Sequence, residues 1–206
     1  MGSVRKAIGF VLAVLAFGIP TSLADAAPGP SGGQFMVTGS LTSQPIGHYD
    51  FCKRYREQCL PHSADARAPS FGKARWQLVN DINRTVNFSV MPETDMQLYG
   101  KEEYWTYPTT AGDCEDYVLL KQYMLEQHGF QPSDLLITVV RKPDGEGHAV
   151  LTVRTADGDY VLDNLDDHVK LWRDTPYTYL KRQAINDSGR WVTIENGSEL
   201  LVGAVR

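Results

Sequence analysis

The hexapeptide Gly112-Asp113-Cys114-Glu115-Asp116-Tyr117 sets a thiol between acidic residues, just ahead of a helix-forming run. Asp113 is a residue type that caps helices, so Cys114 falls in the first turn. There the positive end of the helix dipole and the free backbone amides favour a thiolate over a thiol. A thiolate is the form that attacks a carbonyl carbon, and nearby amides can hold the oxyanion that results. The acidic neighbours act in the opposite sense, because negative charge raises a thiol pKa. A cysteine at a helix start is more often a packing residue than a nucleophile, so the reading depends on partners.

Two partners are available. His148 opens the strand-like run Gly147-His148-Ala149-Val150-Leu151-Thr152-Val153, directly after a glycine turn, where a side chain can face a cleft. The other histidines (His48, His62, His128 and His168) fall in loops or at helix ends and read as solvated. Asp163 lies in Tyr160-Val161-Leu162-Asp163-Asn164-Leu165, and an acid inside an apolar strand is costly unless paired. If Thr155 to Gly158 form a four-residue hairpin loop, Asp163 lies opposite Val150, on the face that carries His148. A slip of one residue would separate the two. The spacing therefore permits a Cys-His-Asp triad of Cys114, His148 and Asp163, in which the acid orients the imidazole.

The elements that must position these residues follow from pattern. Between residues 69 and 90, Val79, Ile82 and Val86 recur at helical spacing and Ser70 is a candidate cap. The stretch 91–112 has no clear period and reads as a long connection, the kind that often carries function. A strong helix is expected from Cys114 to Gln127, ending at Gly129. Strands are expected at 135–141, 148–154, 160–165 and 191–194, with turns at Pro143-Asp144-Gly145 and Asp157-Gly158. Helices first and an antiparallel meander after them give an α+β domain. Trp172, Tyr177 and Tyr179 read as core residues, and Trp105 either walls the cleft or packs in the core.

Residues 1–26 have the order of a secretory signal peptide: Arg5 and Lys6, an apolar run from Ala7 to Phe17, then Ala24-Asp25-Ala26. That run is shorter than the roughly 20 residues a membrane span needs. Residues 27–43, rich in Gly, Pro and Ser, read as a flexible lead-in, and 44–206 as one domain. A net charge of -5 without basic clusters argues against nucleic acid as a partner. Of three cysteines, Cys52 and Cys59 can close a small loop or stand as two reduced structural thiols, and an oxidising compartment favours the loop. Cys114 is then the free thiol.

The order of Cys, His and Asp, together with Trp105, Gly112 to Tyr117, Gly147-His148-Ala149 and Leu162-Asp163-Asn164, resembles the bacterial transglutaminase-like cysteine proteinase family. The resemblance implies a papain/transglutaminase-like core, with the nucleophile at a helix N-terminus packed on an antiparallel sheet. It implies a periplasmic or secreted cysteine endopeptidase acting through an acyl-enzyme on an envelope or adhesin protein. The paired Cys52 and Cys59 are similar to those of exported members. It also implies a Ca²⁺ requirement, with Asp113, Glu115 and Asp116 as the matching metal ligands, whose neutralisation would favour the thiolate. Plain helix capping by these acids is the alternative. Acyl transfer to amines and a non-catalytic, calcium-responsive binding protein are the other functional readings.

Overall fold

The structure is a computed structural model that describes residues 1–2, 33–64 and 67–197. The expected signal peptide lies outside the described residues except for its first two. Within 33–197 the chain runs β1 (Thr38–Thr42), α1 (Ile46–Arg54), α2 (Lys73–Ser89), β2 (Met91–Pro92), α3 (Asp95–Tyr99), β3 (Ala111–Gly112) and α4 (Cys114–Gln127). It continues through β4 (Leu135–Arg141), β5 (Gly147–Thr155), β6 (Gly158–Leu162), β7 (Lys170–Leu171), β8 (Thr178–Ala184) and β9 (Asp187–Ile194). Seven strands form one sheet in the order β1-β9-β8-β4-β5-β6-β7, antiparallel throughout. The short strands β2 and β3 pair in parallel beside it. The architecture is α+β, with helices preceding and packing on an antiparallel sheet.

The helix-side core is built by the residues whose spacing marked α2 (Val79, Ile82 and Val86) together with Val118, Leu119 and Leu125 of α4. Each such buried aliphatic side chain contributes about 1.5–3 kcal/mol of transfer free energy. α4 packs on both α2 and β5, and five consecutive residues from Glu115 to Leu119 are buried. A helix enclosed on so many sides can hold a side chain at its first turn rigidly. Its C-terminal end turns at Gly129, whose φ of +79° is open to glycine. Along β5, Ala149, Leu151 and Val153 face the helices, while Val150 joins the second core on the other side of the sheet. No helix among the described residues is long and apolar enough to cross a membrane.

Several expectations are revised. Thr38–Thr42, inside the expected lead-in, forms the sheet edge β1, because pairing with β9 supplies the order that its own sequence lacks. The N-cap of α2 is Gly72, not Ser70. His48 is not solvated: it is 1% exposed, enclosed by the rings of Phe51, Trp105 and Trp191. Burial pulls its pKa down to about 3, so it is a neutral core imidazole. The strands β1, β2, β3, β7 and β8 and the helices α1 and α3 fall outside the expected elements, and β6 ends at Leu162, so Asp163 follows the strand and does not lie within it.

Cys52 and Cys59 are joined as a disulfide across a separation of 7, leaving Cys114 free. The bridge anchors the end of α1, the helix that carries His48 beneath Trp105. Replacing both with alanine should lower the unfolding free energy by about 2 kcal/mol, the chain-entropy value for so short a loop. Urea unfolding of the double variant checks this, and an unchanged midpoint would contradict it.

Candidate active site

Cys114 is the first residue of α4, and its side chain opens into a cavity of about 370 Å³. Pro45, Trp105, Val139, His148, Ala149 and Lys181 line the same cavity, so the structure brings the cysteine and the histidine to one cleft. Trp105 does both things allowed for it, walling the cleft while 3% exposed in the core. The cleft forms where the first turn of α4 meets the start of β5.

Hairpin register governs the third residue. Leu151 pairs with Leu162 and Thr155 with Gly158, so continuing one step sets Asp163 opposite Val150, as the sequence spacing anticipates. His148 Nε2 and Asp163 Oδ1 are 2.9 Å apart, both side chains nearly enclosed. That contact leaves Nδ1 as the imidazole nitrogen for other work. Burial pushes the Asp163 carboxyl up, but hydrogen bonds from His148, Tyr177 and the Leu165 amide outweigh it and hold the group below its ordinary value. It is an anion throughout the neutral range.

Tyr177 belongs to this arrangement and not merely to the core. Its hydroxyl donates to Asp163 Oδ2 at 2.6 Å, and its ring lies 5.4 Å from that of His148. An isolated tyrosine in a loop carries no sequence signal of such a role.

The Cys114 sulfur donates to Glu115 Oε2 at 3.0 Å. Burial raises the thiol pKa well above its ordinary value, the Glu115 charge and hydrogen bond add to this, and an Ala149 backbone hydrogen bond opposes them. Glu115 is itself pushed up to about 9, first by burial and then by the Asp113 charge. The protein alone therefore favours a thiol, as the acidic flanks lead one to expect.

Asp113 caps α4 by position, but its side chain makes no capping bond and instead accepts from the Asp95 amide at 3.1 Å. Asp95, Asp113 and Asp116 each offer an oxygen within 4.8 Å of the others. Every one of the three has one oxygen fixed by a backbone amide: Asp95 by Tyr104, Asp113 by Asp95, and Asp116 by Thr106 at 2.8 Å. The second oxygens (Asp95 Oδ1, Asp113 Oδ1 and Asp116 Oδ2) are buried without a partner. Gly112 makes room for this, since a Cβ there would lie 2.5 Å from Asp116 Oδ2. Burial and mutual repulsion raise Asp95 to about 6 and Asp116 to about 8. Three orphaned, crowded carboxylate oxygens suit a hard divalent cation. Of the expected ligands, Asp113 and Asp116 meet here, whereas Glu115 turns to the cysteine and Asp95 takes the third place. Asp95 lies in a five-residue helix within the long connection, so sequence spacing gave no hint of it.

The solved structures that this chain resembles include the calcium-bound protein LapG of Legionella pneumophila, at 23% identity and a TM-score of 0.49, covering 60% of this chain and 71% of that one. The EGTA-treated form of LapG gives 21% identity and a TM-score of 0.50 over 60% of this chain and 69% of that one. The second likeness supports a shared fold. No curated protein sequence matches the chain. The model of the bacterial transglutaminase-like cysteine proteinases, by contrast, matches residues 38–199, which span every strand among the described residues, the cleft and the acidic cluster. The chain belongs to that family and is a cysteine peptidase of the transglutaminase-like superfamily.

Proposed function

We propose that the protein is an exported endopeptidase whose nucleophile is Cys114, with His148 as general base and Asp163 as the acid that orients it. The observation that carries this is Cys114 and His148 sharing one cleft while His148 Nε2 is bound to Asp163 at 2.9 Å. His148 takes the thiol proton and the sulfur attacks a peptide carbonyl. The imidazolium then protonates the leaving amine, and water, activated by His148, hydrolyses the thioester. Amides of the first turn of α4 are the donors best placed for the oxyanion. The order of residues at the N-terminus and the Cys52–Cys59 bridge support a periplasmic or secreted location. An envelope or adhesin protein is the substrate that the family resemblance implies.

Ca²⁺ is the cation we assign to Asp95, Asp113 and Asp116, on the strength of their three unpartnered oxygens. When bound, it supplies positive charge beside Cys114, which favours the thiolate against the acidic flanks.

Incubation of the mature chain with an unfolded protein should yield new free carboxyl ends, and mass spectrometry should show a thioester on Cys114. Cys114→Ser should lower turnover on the order of 10⁴-fold or more. Products joined to an added amine in place of water would make the enzyme an acyl transferase, and neither product would sink the catalytic reading. In differential scanning fluorimetry at pH 7, Ca²⁺ at 100 times its Kd should add about 2.7 kcal/mol of stability. Asp95→Asn should abolish that response and Glu115→Gln should keep it; the reverse pattern would restore Glu115 as a ligand. Tyr177→Phe removes one donor from Asp163 and should lower kcat roughly tenfold with KM unchanged, read by steady-state kinetics.

A further inference from the structure

The cleft that holds Cys114 and His148 is lined by two glutamates and one lysine, and the three are not equivalent. Glu115 Oε2 accepts from the Cys114 sulfur at 3.0 Å, and Glu103 Oε2 accepts from Trp105 Nε1 at 2.9 Å. Glu103 is also exposed, where water and salt screen its charge. Lys181, by contrast, is half-buried, and it enters no ion pair among the described residues. Its Nζ donates to the Ser43 carbonyl at 2.7 Å. An ammonium has three N–H groups, so two are left for another acceptor. Burial draws the Lys181 pKa down, and no anion acts in the opposite sense.

Strand register fixes how far this cation lies from the chemistry. Val139 of β4 pairs with Ala149 of β5 on one side and with Lys181 of β8 on the other. Directly paired residues share a face of the sheet, and all three line the cleft. They form a row that starts at Ala149, whose backbone hydrogen-bonds to Cys114. Neighbouring strands lie about 4.8 Å apart, so Lys181 stands roughly 10 Å from that end of the row. An extended peptide advances about 3.3 Å per residue and covers the same distance in about three residues. A chain laid along the row, with its scissile carbonyl at Cys114, would carry one side chain to Lys181. An apolar side chain there would strip water from a cation and give nothing back, whereas a carboxylate would accept from the two remaining N–H groups.

Resting on the peptidase reading above, we infer that Lys181 is a specificity residue, which selects peptide substrates carrying Asp or Glu about three residues from the bond that is cut. The acid binds on the β8 side of the cleft, and a basic residue at that position is repelled.

A library of short peptides of random sequence, digested by the complete mature chain with Ca²⁺ present and read by mass spectrometry, tests this. Among the cleaved peptides, Asp and Glu should be enriched about tenfold over Asn and Gln at that position. The enrichment should vanish with Lys181→Met and pass to Lys and Arg with Lys181→Glu. Each digest compares peptides with one another, so a variant that folds only in part still reports. Should both variants fail to fold, the wild type decides, since its acidic enrichment should fade between dilute and molar salt. No acidic enrichment, or a wild type that selects basic residues, overturns the inference. So does an enrichment indifferent to the variants or to salt, the result expected of a lysine that merely ties β8 to Ser43. If Cys114→Ser abolishes cleavage but acids are not selected, this inference fails and the peptidase reading stands. If the wild type cleaves nothing, the same library is captured on it instead. Acidic enrichment that Lys181→Met removes then keeps the recognition without the peptidase, and its absence overturns both.

Discussion

A carboxylate held away from water must be surrounded by donors, and Asp163 imposes that demand on nearly every part of the molecule. Its Oδ1 is met by His148 of β5 and by the Leu165 amide of its own loop, and its Oδ2 by Tyr177 from the segment before β8. Its backbone carbonyl is met by Asn87 of α2. None of these donors is close to Asp163 in sequence, apart from Leu165. The sheet order β8-β4-β5-β6 brings Tyr177 round to the strand end where Asp163 emerges, and α2 closes the opposite side. Leaving such a group unsatisfied would cost more than a typical single hydrogen bond contributes, so site geometry and fold stability are one problem here.

The acids of the site are handled in two opposite ways. Asp163 is saturated with donors and held ionised. Asp95, Asp113 and Asp116 are each half satisfied, and their free oxygens are turned toward one another. Glu115 is a third case, protonation-prone and bonded to the sulfur. The electrostatic conflict visible in the hexapeptide is therefore real in three dimensions. At the thiol it comes first from Glu115 and then from Asp113 of the acidic cluster, and both are separate from the acid bonded to His148.

Much of this was legible in the sequence because it rests on local period. The bounds of α4 and β4 follow from apolar spacing and from Gly129, and the β5–β6 register follows from the turn. What could not be read is decided by distant partners. β8 carries Arg182 and Gln183, which look like surface residues but are buried against Asp159 and the Ile137 amide. β1 acquires strand character only by pairing with β9. His48 reads as solvated because two of the three rings around it, those of Trp105 and Trp191, come from distant segments and only Phe51 is its neighbour in sequence. At the site, Cys114, His148 and Asp163 carry local marks, whereas Asp95 and Tyr177 gain meaning only from the folding of a long connection and a loop. Glu115 illustrates the converse, since proximity to Asp113 and Asp116 in sequence does not turn its side chain the same way.

The β5–β6 turn has a further consequence. Thr155 Oγ1 donates to the Gly158 carbonyl at 2.9 Å and accepts from the Asp157 amide, so the turn is pinned from within. Asp163 is placed by counting outward from that pin, and side chains alternate faces with each step along a strand. One residue inserted between Ala156 and Asp157 would rotate the carboxylate to the side now held by Leu162, into hydrocarbon and away from His148. The hairpin is in this sense a molecular ruler: with nearly every residue of both strands buried, a change of length would disrupt the packing on both faces of the sheet and the His148–Asp163 contact in the same event.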